Sequence, residues 1–514
     1  MINNSNYIFP ILLLSLIFYL LFNTGIHGDD YTAFDIAGRS SLLDFLSWTP
    51  TARGQNFFGI FNHYFFYWIY EVFDKENTFI FDFLKILINF FSIVLTYSFC
   101  TCFLDKNRSL FFAIFSVLSL THDSTLYWYM TAPYIFTASC IFFSYFLVEK
   151  NYIKFGLFFF FISVFLSYSS PPYLFGISII FLLNRSYKKF FIFILPGFCY
   201  LAYYFYFGIF LENEIRINNN LSLYIFVKNF VIQFLSSLES VFGPSLFFKF
   251  YYSAINISII SFIIMFIFLF FLYFFIPNSK KYIDHKLLFG LICIYMLSLF
   301  MFSLTGLYTQ SPFNLGNRVT IYSTLLLSYF LCIFVKNKNF LIFFLFIFLI
   351  PIFGLSDHWK QWNINQKIII NNIENNKNLK NIGKDNTLII VNNLYSKLGI
   401  FSHIEFFSMP WVVRSIFRNT TDTKNFMVLS EYSKIYDNKI FDSKFNETIK
   451  IENKIFKYDT NTNILTSLDI KQLKQEHLSL NKEYRHWIQF KNNSFINKFI
   501  IYLNPRLKMY IDKK

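Results

Sequence analysis

The sequence predicts an all-α polytopic membrane protein over residues 1–356, followed by a small α/β domain over residues 357–514. Composition is the first reason: 55% of the 514 residues are hydrophobic, 23% are aromatic, including 77 Phe, and only 15% are charged. The second reason is that apolar residues form long runs, which stop near residue 356. A soluble domain cannot bury that much apolar side chain, so we expect a chain embedded in a lipid bilayer.

About eleven runs are long or apolar enough to cross a bilayer, which needs roughly 20 apolar residues. They lie near 7–23, 79–104, 109–120, 133–148, 152–168, 172–184, 189–210, 250–277, 287–305, 319–335 and 339–356. The runs near 109–120 and 172–184 are short, and they either recruit neighbouring residues or form re-entrant segments. The run 7–23 lacks the basic start and the small-residue cleavage site of a signal peptide, so we interpret it as a retained first span.

Charge and cysteine usage argue against other classes of protein. The formal net charge is +15, but the basic residues form short clusters between apolar runs and in the C-terminal part. This distribution argues against a nucleic-acid-binding protein. The six cysteines all lie within apolar runs, with neither a disulfide framework nor a metal-ligand spacing.

Basic residues alternate between loops, which predicts the orientation of the chain. The basic loops contain Lys106 and Arg108, Lys150 and Lys154, Arg185 with Lys188 and Lys189, Lys280 with Lys281 and Lys286, and Lys336 and Lys338. Cytoplasmic loops of membrane proteins carry an excess of Lys and Arg. The N-terminus is therefore expected to be cytoplasmic. The C-terminal domain and five loops are expected outside, namely the loop after the first span and the loops near 121–132, near 169–171, over 211–249 and near 306–318.

The two largest outer segments differ in character. Residues 211–249 are partly amphipathic and favour a helix lying on the bilayer surface. From Asp357 the chain becomes rich in Asn and Lys, with short strand-like pieces such as 387–391. We find no internal repeat of the kind that transporters with inverted repeats carry.

The first outer loop contains the strongest candidate site. Asp29 and Asp30 follow the first span directly, at the depth of a lipid head group. A carboxylate there can accept a proton from a hydroxyl group, or it can hold a divalent cation against a phosphate. The alternative is that the two acids simply end a span on the translocated side.

Two arginines follow in the same loop, before an apolar run over 57–73 that is typical of an interfacial helix. Arg39 and Arg53 lie outside the membrane, against the usual bias, and the planar guanidinium group suits a phosphate. The alternative for Arg39 is an ion pair with Asp35 or Asp44.

The second outer loop, 121–129, brings His122 and Asp123 together with Tyr127 and Trp128. The two aromatic residues could stack on a sugar, although Tyr and Trp are also ordinary residues of the membrane interface. His122 and Asp123 are less easily explained as interface residues, so both are candidate site residues.

The last outer loop before residue 319 contains Pro312 and Gly316 and ends at Arg318. This composition favours a fixed geometry that presents a cation to a diphosphate. The alternative is a single arginine that reaches from a helix end into the interface. Residues 357–360 are interpreted as an interface anchor.

Together these features resemble the GT-C superfamily of membrane glycosyltransferases. The shared features are an early span, an outer loop beginning Asp29-Asp30-Tyr31, an acidic residue in the second outer loop, about eleven spans and an outer C-terminal domain. The chain is similar to poorly characterised bacterial families and, loosely, to O-antigen glucosyltransferases of phage type. The Trp-Trp-Asp-Tyr-Gly motif of oligosaccharyltransferases does not occur in residues 357–514, which argues against transfer to protein asparagine.

The resemblance implies an inverting transfer of a sugar from a polyprenyl-phosphate donor to a glycan or lipid acceptor, on the periplasmic face of the bacterial inner membrane. Asp29 or Asp30 would be the general base or would hold Mg²⁺ or Mn²⁺, and Asp123 would be a second acid of the same site. The lipid phosphate would be bound by residues among Arg39, Arg53, His122 and Arg318.

Two other classes remain open. A polymerase or ligase of lipid-linked glycans would also have many spans and outer arginines, but it would place its charges in a large late outer loop. A transporter or flippase would place ionisable residues in the middle of spans. Here Asp82 and Lys85 lie near the outer end of a span, which favours an enzyme.

Overall fold

Apolar runs become helices throughout the chain. The computed structural model describes residues 5–41, 67–72, 78–210, 221–276, 282–305, 310–451, 453–480 and 495–503. Its main helices are α1 (Ser5–Leu21), α2 (Asp29–Ala37), α3 (Phe79–Cys100), α4 (Lys106–Val117), α5 (Ser124–Tyr127), α6 (Ala132–Glu149), α7 (Ile153–Leu166), α8 (Ser170–Leu183), α9 (Tyr187–Phe210), α10 (Leu223–Phe242), α11 (Pro244–Ile255), α12 (Ile259–Phe275), α13 (Lys286–Thr305), α14 (Ile321–Ile333), α15 (Lys338–Asn375), α16 (Lys377–Lys380), α17 (Pro410–Phe417), α18 (Ile470–Ser479) and α19 (Phe495–Leu503).

Several of these helices are long and apolar enough for a membrane-embedded protein. Among the described residues there are six such stretches, namely Phe79–Cys100, Tyr129–Glu149, Tyr187–Tyr206, Leu223–Ile255, Lys286–Thr305 and Lys338–Asn375. Shorter apolar helices cover Phe9–Leu21, Ile153–Leu166, Ser170–Leu183 and Ile259–Phe275. The chain is therefore mostly helical and membrane-embedded, and the length of its helices supports six spans.

Five of these six stretches coincide with expected spans, and the runs 7–23, 152–168 and 172–184 form only shorter apolar helices. Three further expected spans are divided or short. The run 250–277 is divided between α11 and α12, because Asn256 and Ser258 interrupt the helix and Ser258 caps the second one. Helices α4 and α14 have 12 and 13 residues. At a rise of about 1.5 Å per residue, each is roughly 20 Å long, which is shorter than the hydrocarbon core of about 30 Å.

Helix α10 presents its apolar side outwards, as expected beside lipid. Asn229, Gln233 and Ser237 are buried, whereas Leu223 and Leu235 are among the exposed residues. The sequence predicted an outer segment over 211–249 with a helix lying on the bilayer surface, whereas Leu223–Ile255 is one of the six stretches that are long and apolar enough to cross a membrane. Residues 211–220, with the charged start of that segment, lie outside the described residues.

Loops that the sequence places on one side of the membrane contact one another. At the end of the bundle with the basic loops, Lys286 Nζ lies 2.7 Å from Asn184 Oδ1, and Lys189 Nζ lies 3.3 Å from Glu149 Oε2. The other loops meet at the opposite end, as described below. This grouping agrees with the alternation of charge, while the orientation in a membrane stays a prediction.

Helix α15 joins the bundle to the C-terminal region. It has 38 residues and continues without a break through positions 356 and 357, where the sequence predicted a domain boundary. At about 1.5 Å per residue it is roughly 57 Å long, nearly twice the hydrocarbon thickness. Its second half therefore extends beyond the apolar part of the helix, and the first strand begins only at Thr387.

The C-terminal region contains the expected sheet. Its strands are β1 (Thr387–Val391), β2 (Tyr395–Leu398), β3 (Phe401–Glu405), β4 (Asn425–Val428), β5 (Ser433–Ile435), β6 (Lys439–Asp442), β7 (Glu447–Lys450), β8 (Ile455–Asp459) and β9 (Ile464–Leu468). The main sheet has the order β4-β1-β8-β9, in which β1 is parallel to both neighbours and pairs Leu388 with Phe426 and Phe456. The predicted strand 387–391 is buried along its whole length, which explains its continuous apolar sequence.

Candidate functional site

The loops that the sequence predicts to be outside, which we continue to call the outer loops, meet the C-terminal region at one end of the bundle. The backbone N–H of Met130 donates to Asp30, which joins the first loop to the second. The backbone N–H and the hydroxyl of Ser124 donate to Asn317 Oδ1, which joins the second loop to the last one. The residues that the sequence singled out in separate loops are thus brought to a single region.

Asp29 and Asp30 begin helix α2 but have different environments. Asp30 is fully buried, and its two carboxylate oxygens accept N–H bonds from His27 at 3.0 Å and Met130 at 3.2 Å. Asp29 is partly exposed, and its Oδ1 accepts a 2.6 Å hydrogen bond from the indole of Trp411 on α17. Asp29 is therefore the carboxylate that a substrate can reach, and Asp30 holds the loop together.

The burial of Asp30 changes its acidity. Desolvation raises the pKa of Asp30 to about 7, against the hydrogen bond from His27 and the positive charge of Lys85, which both lower it. This carboxyl group consequently exchanges its proton near neutral pH.

Lys85 ties the first outer loop to the second. Its ammonium group donates to Thr24 Oγ1 at 2.7 Å, to the carbonyl oxygen of Gly25 at 2.6 Å and to that of Tyr127 at 3.1 Å. It also lies 2.9 Å from Asp82, one turn earlier on α3. Asp82 and Lys85, the two charged residues near this end of α3, therefore stabilise the positions of the loops.

Asp123 is the centre of a buried polar cluster that we call the Asp123 hub. Its Oδ1 accepts from Lys249 Nζ at 2.5 Å and from the amide of Asn317. Its Oδ2 accepts from Trp359 Nε1 at 2.8 Å and from His403 Nε2 at 3.0 Å. The carboxylate is fully buried and saturated with donors from α11, the last outer loop, α15 and β3.

The charges of the Asp123 hub follow from these contacts. Burial by itself raises the pKa of Asp123, but the positive charge of Lys249 and the contact with His403 outweigh it and hold the pKa well below its usual range. Burial lowers the pKa of His403. The backbone N–H of Asn314 donates to His403 Nδ1 at 3.3 Å, so the imidazole is neutral and carries its proton on Nε2, facing Asp123.

His122 and Tyr127 lie inside the protein. Nδ1 of His122 lies 2.9 Å from Thr125 Oγ1, and Nε2 lies 3.0 Å from the carbonyl oxygen of Ser116. Burial lowers the pKa of His122 to about 4, so the ring is neutral at neutral pH. Tyr127 is buried and stacks on Trp359 with ring centroids 5.1 Å apart.

Trp128 connects the first outer loop to Arg318. Gly28, directly before Asp29, has φ of 53°, and a Cβ there would lie 3.3 Å from the indole of Trp128 and 3.1 Å from Leu315. The guanidinium of Arg318 lies 5.5 Å from the centre of a Trp128 ring. The Trp128 indole thus contacts both the residue before the Asp29 helix and the Arg318 guanidinium, and its Nε1 is buried with no hydrogen-bond partner among the described residues.

Arg318 is fixed on this aromatic surface. Its Nε donates to the hydroxyl of Tyr134 at 3.2 Å, and its Nη1 donates to the carbonyl oxygen of Leu315 at 3.2 Å. The guanidinium also lies 5.6 Å from the Tyr134 ring. The expected fixed geometry of the loop before residue 319 agrees with these contacts.

Arg39 lies apart from this group. Its Nη2 forms a 2.8 Å ion pair with Asp35, the alternative that the sequence left open, and Arg418 lies 3.1 Å from the same carboxylate. Asp35 and Arg39 line a cleft of about 530 Å³ beside the outer half of α15, together with Lys367. Arg53 lies outside the described residues.

The described residues do not assemble a ligand set for a metal. They contain no group of three or more His, Cys, Asp or Glu side chains that could hold a metal ion. Asp29 is the accessible carboxylate at this point, and the oxygens of Asp30 face backbone N–H groups. A divalent cation on Asp29 or Asp30 stays a prediction, and we derive no step through it.

Sequence reasoning missed several residues of this region, namely Lys249, Asn317, His403 and Trp411, and treated Trp359 only as an interface anchor. One signal was present: Lys249 is the single charged residue of α11, within the sequence Phe-Phe-Lys-Phe-Tyr-Tyr. A lone charge in an apolar helix needs a buried partner, and such residues are functional or structural centres by default.

No protein-family model matches the chain, and no curated protein matches it.

Proposed function

We propose that the protein is a membrane glycosyltransferase of GT-C type, which transfers a sugar from a polyprenyl-phosphate donor to a glycan or lipid acceptor on the outer face of the bacterial inner membrane. The observation that carries this proposal is the Trp128 surface, the indole that contacts Gly28 directly before Asp29 and has the Arg318 guanidinium 5.5 Å from a ring centre. An acid and a cation that are linked through one residue suit the acceptor hydroxyl and the leaving phosphate of such a reaction.

The proposed reaction is an inverting substitution. Asp29 accepts the proton of an acceptor hydroxyl, and the acceptor oxygen forms a bond to the anomeric carbon. The bond between that carbon and the phosphate oxygen breaks, and the lipid phosphate leaves with the electron pair. Arg318 stabilises the charge that develops on the phosphate. The indole of Trp411, 2.6 Å from Asp29, fixes the orientation of the base.

Asp30 is proposed as a positioning residue. It does not reach the solvent, and its contacts with His27 and Met130 fix the turn that presents Asp29. The Asp123 hub holds the second and last outer loops against the C-terminal region, so it fixes the loop that carries Arg318. The role of Asp123 as a second catalytic acid stays a prediction, which the first experiment of the Discussion tests.

The finer features of the fold belong to the same proposal. A count near eleven spans requires the shorter apolar helices to complete their crossing with neighbouring residues. The proposed orientation places the Trp128 surface and the C-terminal region in the periplasm and the basic loops in the cytoplasm.

A substitution at Asp29 tests the reaction. Asp29→Asn removes the base while keeping the size of the side chain, and we expect transfer to fall by about 10²–10⁴-fold. The variant is expressed in the native host and the surface glycan is analysed by mass spectrometry, with protein amounts matched by immunoblot. Asp437→Asn is the matched control, because the side chain of Asp437 is 90% exposed in the C-terminal region.

The outcomes separate the classes of protein. A glycan that lacks one sugar in Asp29→Asn, with an intact glycan in the control, supports transfer of a single sugar. A glycan of altered chain length supports the polymerase or ligase alternative. An unchanged glycan at normal protein amounts removes Asp29 from the reaction.

A further inference from the structure

The C-terminal region contains a second cleft at the carboxyl ends of its parallel strands. Its volume is about 580 Å³, and it is lined by residues that directly follow β1, β4 and β8 and by the outer half of α15. The crevice outside the carboxyl ends of the strands is where open α/β sheets bind ligands. We call it the strand-end cleft.

Two asparagines shape its floor. Asn392 and Asn393 follow β1 with φ of 67° and 50°, the left-handed region that Asn tolerates better than most residues. Asn392 Nδ2 donates to Asp459 Oδ1 at 2.9 Å, and Asn393 Nδ2 donates to Asn461 Oδ1 at 2.7 Å. These bonds join the ends of β1 and β8, so the turn is held in place before any ligand arrives.

One face of α15 forms the opposite wall. His358, Gln361, Trp362 and Asn365 line the cleft, with the spacing of one side of a helix. Trp362 is 8% exposed, and its Nε1 has no hydrogen-bond partner within the part of the chain that the structure describes. The indole therefore lines the cleft with part of its ring, while its N–H group is buried behind the accessible surface.

The charges of the lining argue for an uncharged ligand. Its acids are Glu431, Asp459 and Glu476, against two lysines. Lys457 lies 2.5 Å from Glu476, and Lys397 donates to Ser402 at 3.0 Å. A phosphate site would need an excess of positive charge. Carboxylate and amide groups beside an aromatic ring suit the hydroxyl groups and the apolar face of a sugar.

We propose that the strand-end cleft binds a neutral saccharide, which is the glycan acceptor of the transferase; the identity as acceptor rests on the proposed function. Its position supports this. His358 lines the cleft with its Nε2 2.9 Å from Ser396 Oγ, and the next residue, Trp359, donates to Asp123. A glycan held there lies beside the hub that joins the outer loops.

Binding is measured with the full-length protein in lipid nanodiscs. Saturation-transfer NMR and calorimetry use short neutral oligosaccharides, namely maltotriose, chitotriose and a trimannoside, with inorganic phosphate and a uronic-acid trisaccharide as charged probes. Gln361→Ala combined with Asn365→Ala removes two polar groups from the wall without changing the core, and Trp362→Phe replaces the indole ring that lines it. Asn378→Ala is the matched control, because Asn378 is exposed and lies outside the cleft.

We expect at least one neutral oligosaccharide to bind, and the double variant and Trp362→Phe each to weaken its binding about tenfold. Asn378→Ala should bind it as the unmodified protein does. Preference for phosphate or the uronic-acid probe, no binding of any probe, or unchanged saccharide affinity in both cleft variants would overturn the proposal.

The two proposals fail in different ways. If the cleft binds saccharide and Asp29→Asn leaves the surface glycan intact, the transferase proposal fails and the cleft remains a saccharide site. If Asp29→Asn abolishes transfer while the cleft variants bind and transfer normally, the cleft proposal fails alone.

Discussion

Replacing Asp123 with Asn tests whether the hub is structural or catalytic. The carboxylate and Lys249 are both fully buried and lie 2.5 Å apart. Removing one partner of a buried ion pair leaves an uncompensated charge, which costs about 3–5 kcal/mol. We therefore expect Asp123→Asn to lower the free energy of unfolding by this amount and to reduce the amount of folded protein in the membrane.

The partner substitution completes a double-mutant cycle. Lys249→Met removes the ammonium but leaves Asp123 with donors from Asn317, Trp359 and His403, so we expect a smaller loss of about 1–3 kcal/mol. Combining both substitutions removes both charges. The double variant should be more stable than the sum of the single losses predicts, by roughly 2 kcal/mol or more.

Unfolding is followed by tryptophan fluorescence in detergent, as a function of temperature and of SDS, and transfer is measured in membranes at equal amounts of folded protein. Asp437→Asn should leave the unfolding transition unchanged. A transition in Asp123→Asn that matches that of the unmodified protein would refute the structural reasoning. If the double variant recovers stability but not transfer, Asp123 takes part in the reaction as the sequence analysis predicted.

Two further predictions concern the first and last outer loops. Arg318→Lys keeps the charge but loses the flat contact with Trp128 and the bond to Tyr134, so we expect transfer to fall about tenfold through a higher KM for the lipid donor. Arg318→Gln also removes the charge, and we expect it to lower transfer by about 10²–10³-fold. An equal loss of transfer in both variants would show that the charge of Arg318 plays no part. The pKa of Asp30 is about 7 in the folded protein, against an ordinary value of 3.8. The contribution of Asp30 to the free energy of unfolding is therefore fully present below about pH 4 and is lost as the pH rises through 7. The total loss in the free energy of unfolding is about 4 kcal/mol. Asp30→Asn should flatten this decline in the thermal midpoint between pH 5 and pH 8, and a decline of equal slope in both proteins would contradict the burial argument.

The local sequence predicted helices and strands well where a run of apolar residues required burial. The strand 387–391 was predicted because five apolar or β-branched residues follow one another, and the structure buries all five. The apolar runs likewise became helices. Their ends were predicted less well, since α15 continues to Asn375 through the polar sequence after residue 356. A helix can continue through a polar sequence when its polar side chains find hydrogen-bond partners. The side-chain amide of Asn363, for example, donates to the carbonyl oxygen of Asn23.

Contacts between distant parts of the chain could not be read from the sequence. Lys249 meets Asp123 across 126 positions, and His403 meets it across 280. No spacing rule links such residues, because the fold of the intervening helices sets the distance. The cost of a buried charge does predict that Lys249 needs an acid partner, but not which acid.

The geometry at the start of α2 separates the two neighbouring acids, which the sequence could not do. Successive side chains on a helix point about 100° apart, so when one faces the protein its neighbour faces outwards. Asp30 turns inwards to the backbone of His27 and Met130, and Asp29 turns towards Trp411. Because Gly28 lies against Trp128, where a Cβ would be 3.3 Å from the indole, a shift of this turn would press on the ring beside which Arg318 lies. A substitution at Asp30 therefore changes the position of Asp29, and its effect on transfer should follow the pH dependence of Asp30, whereas a substitution at Asp29 should lower transfer at every pH.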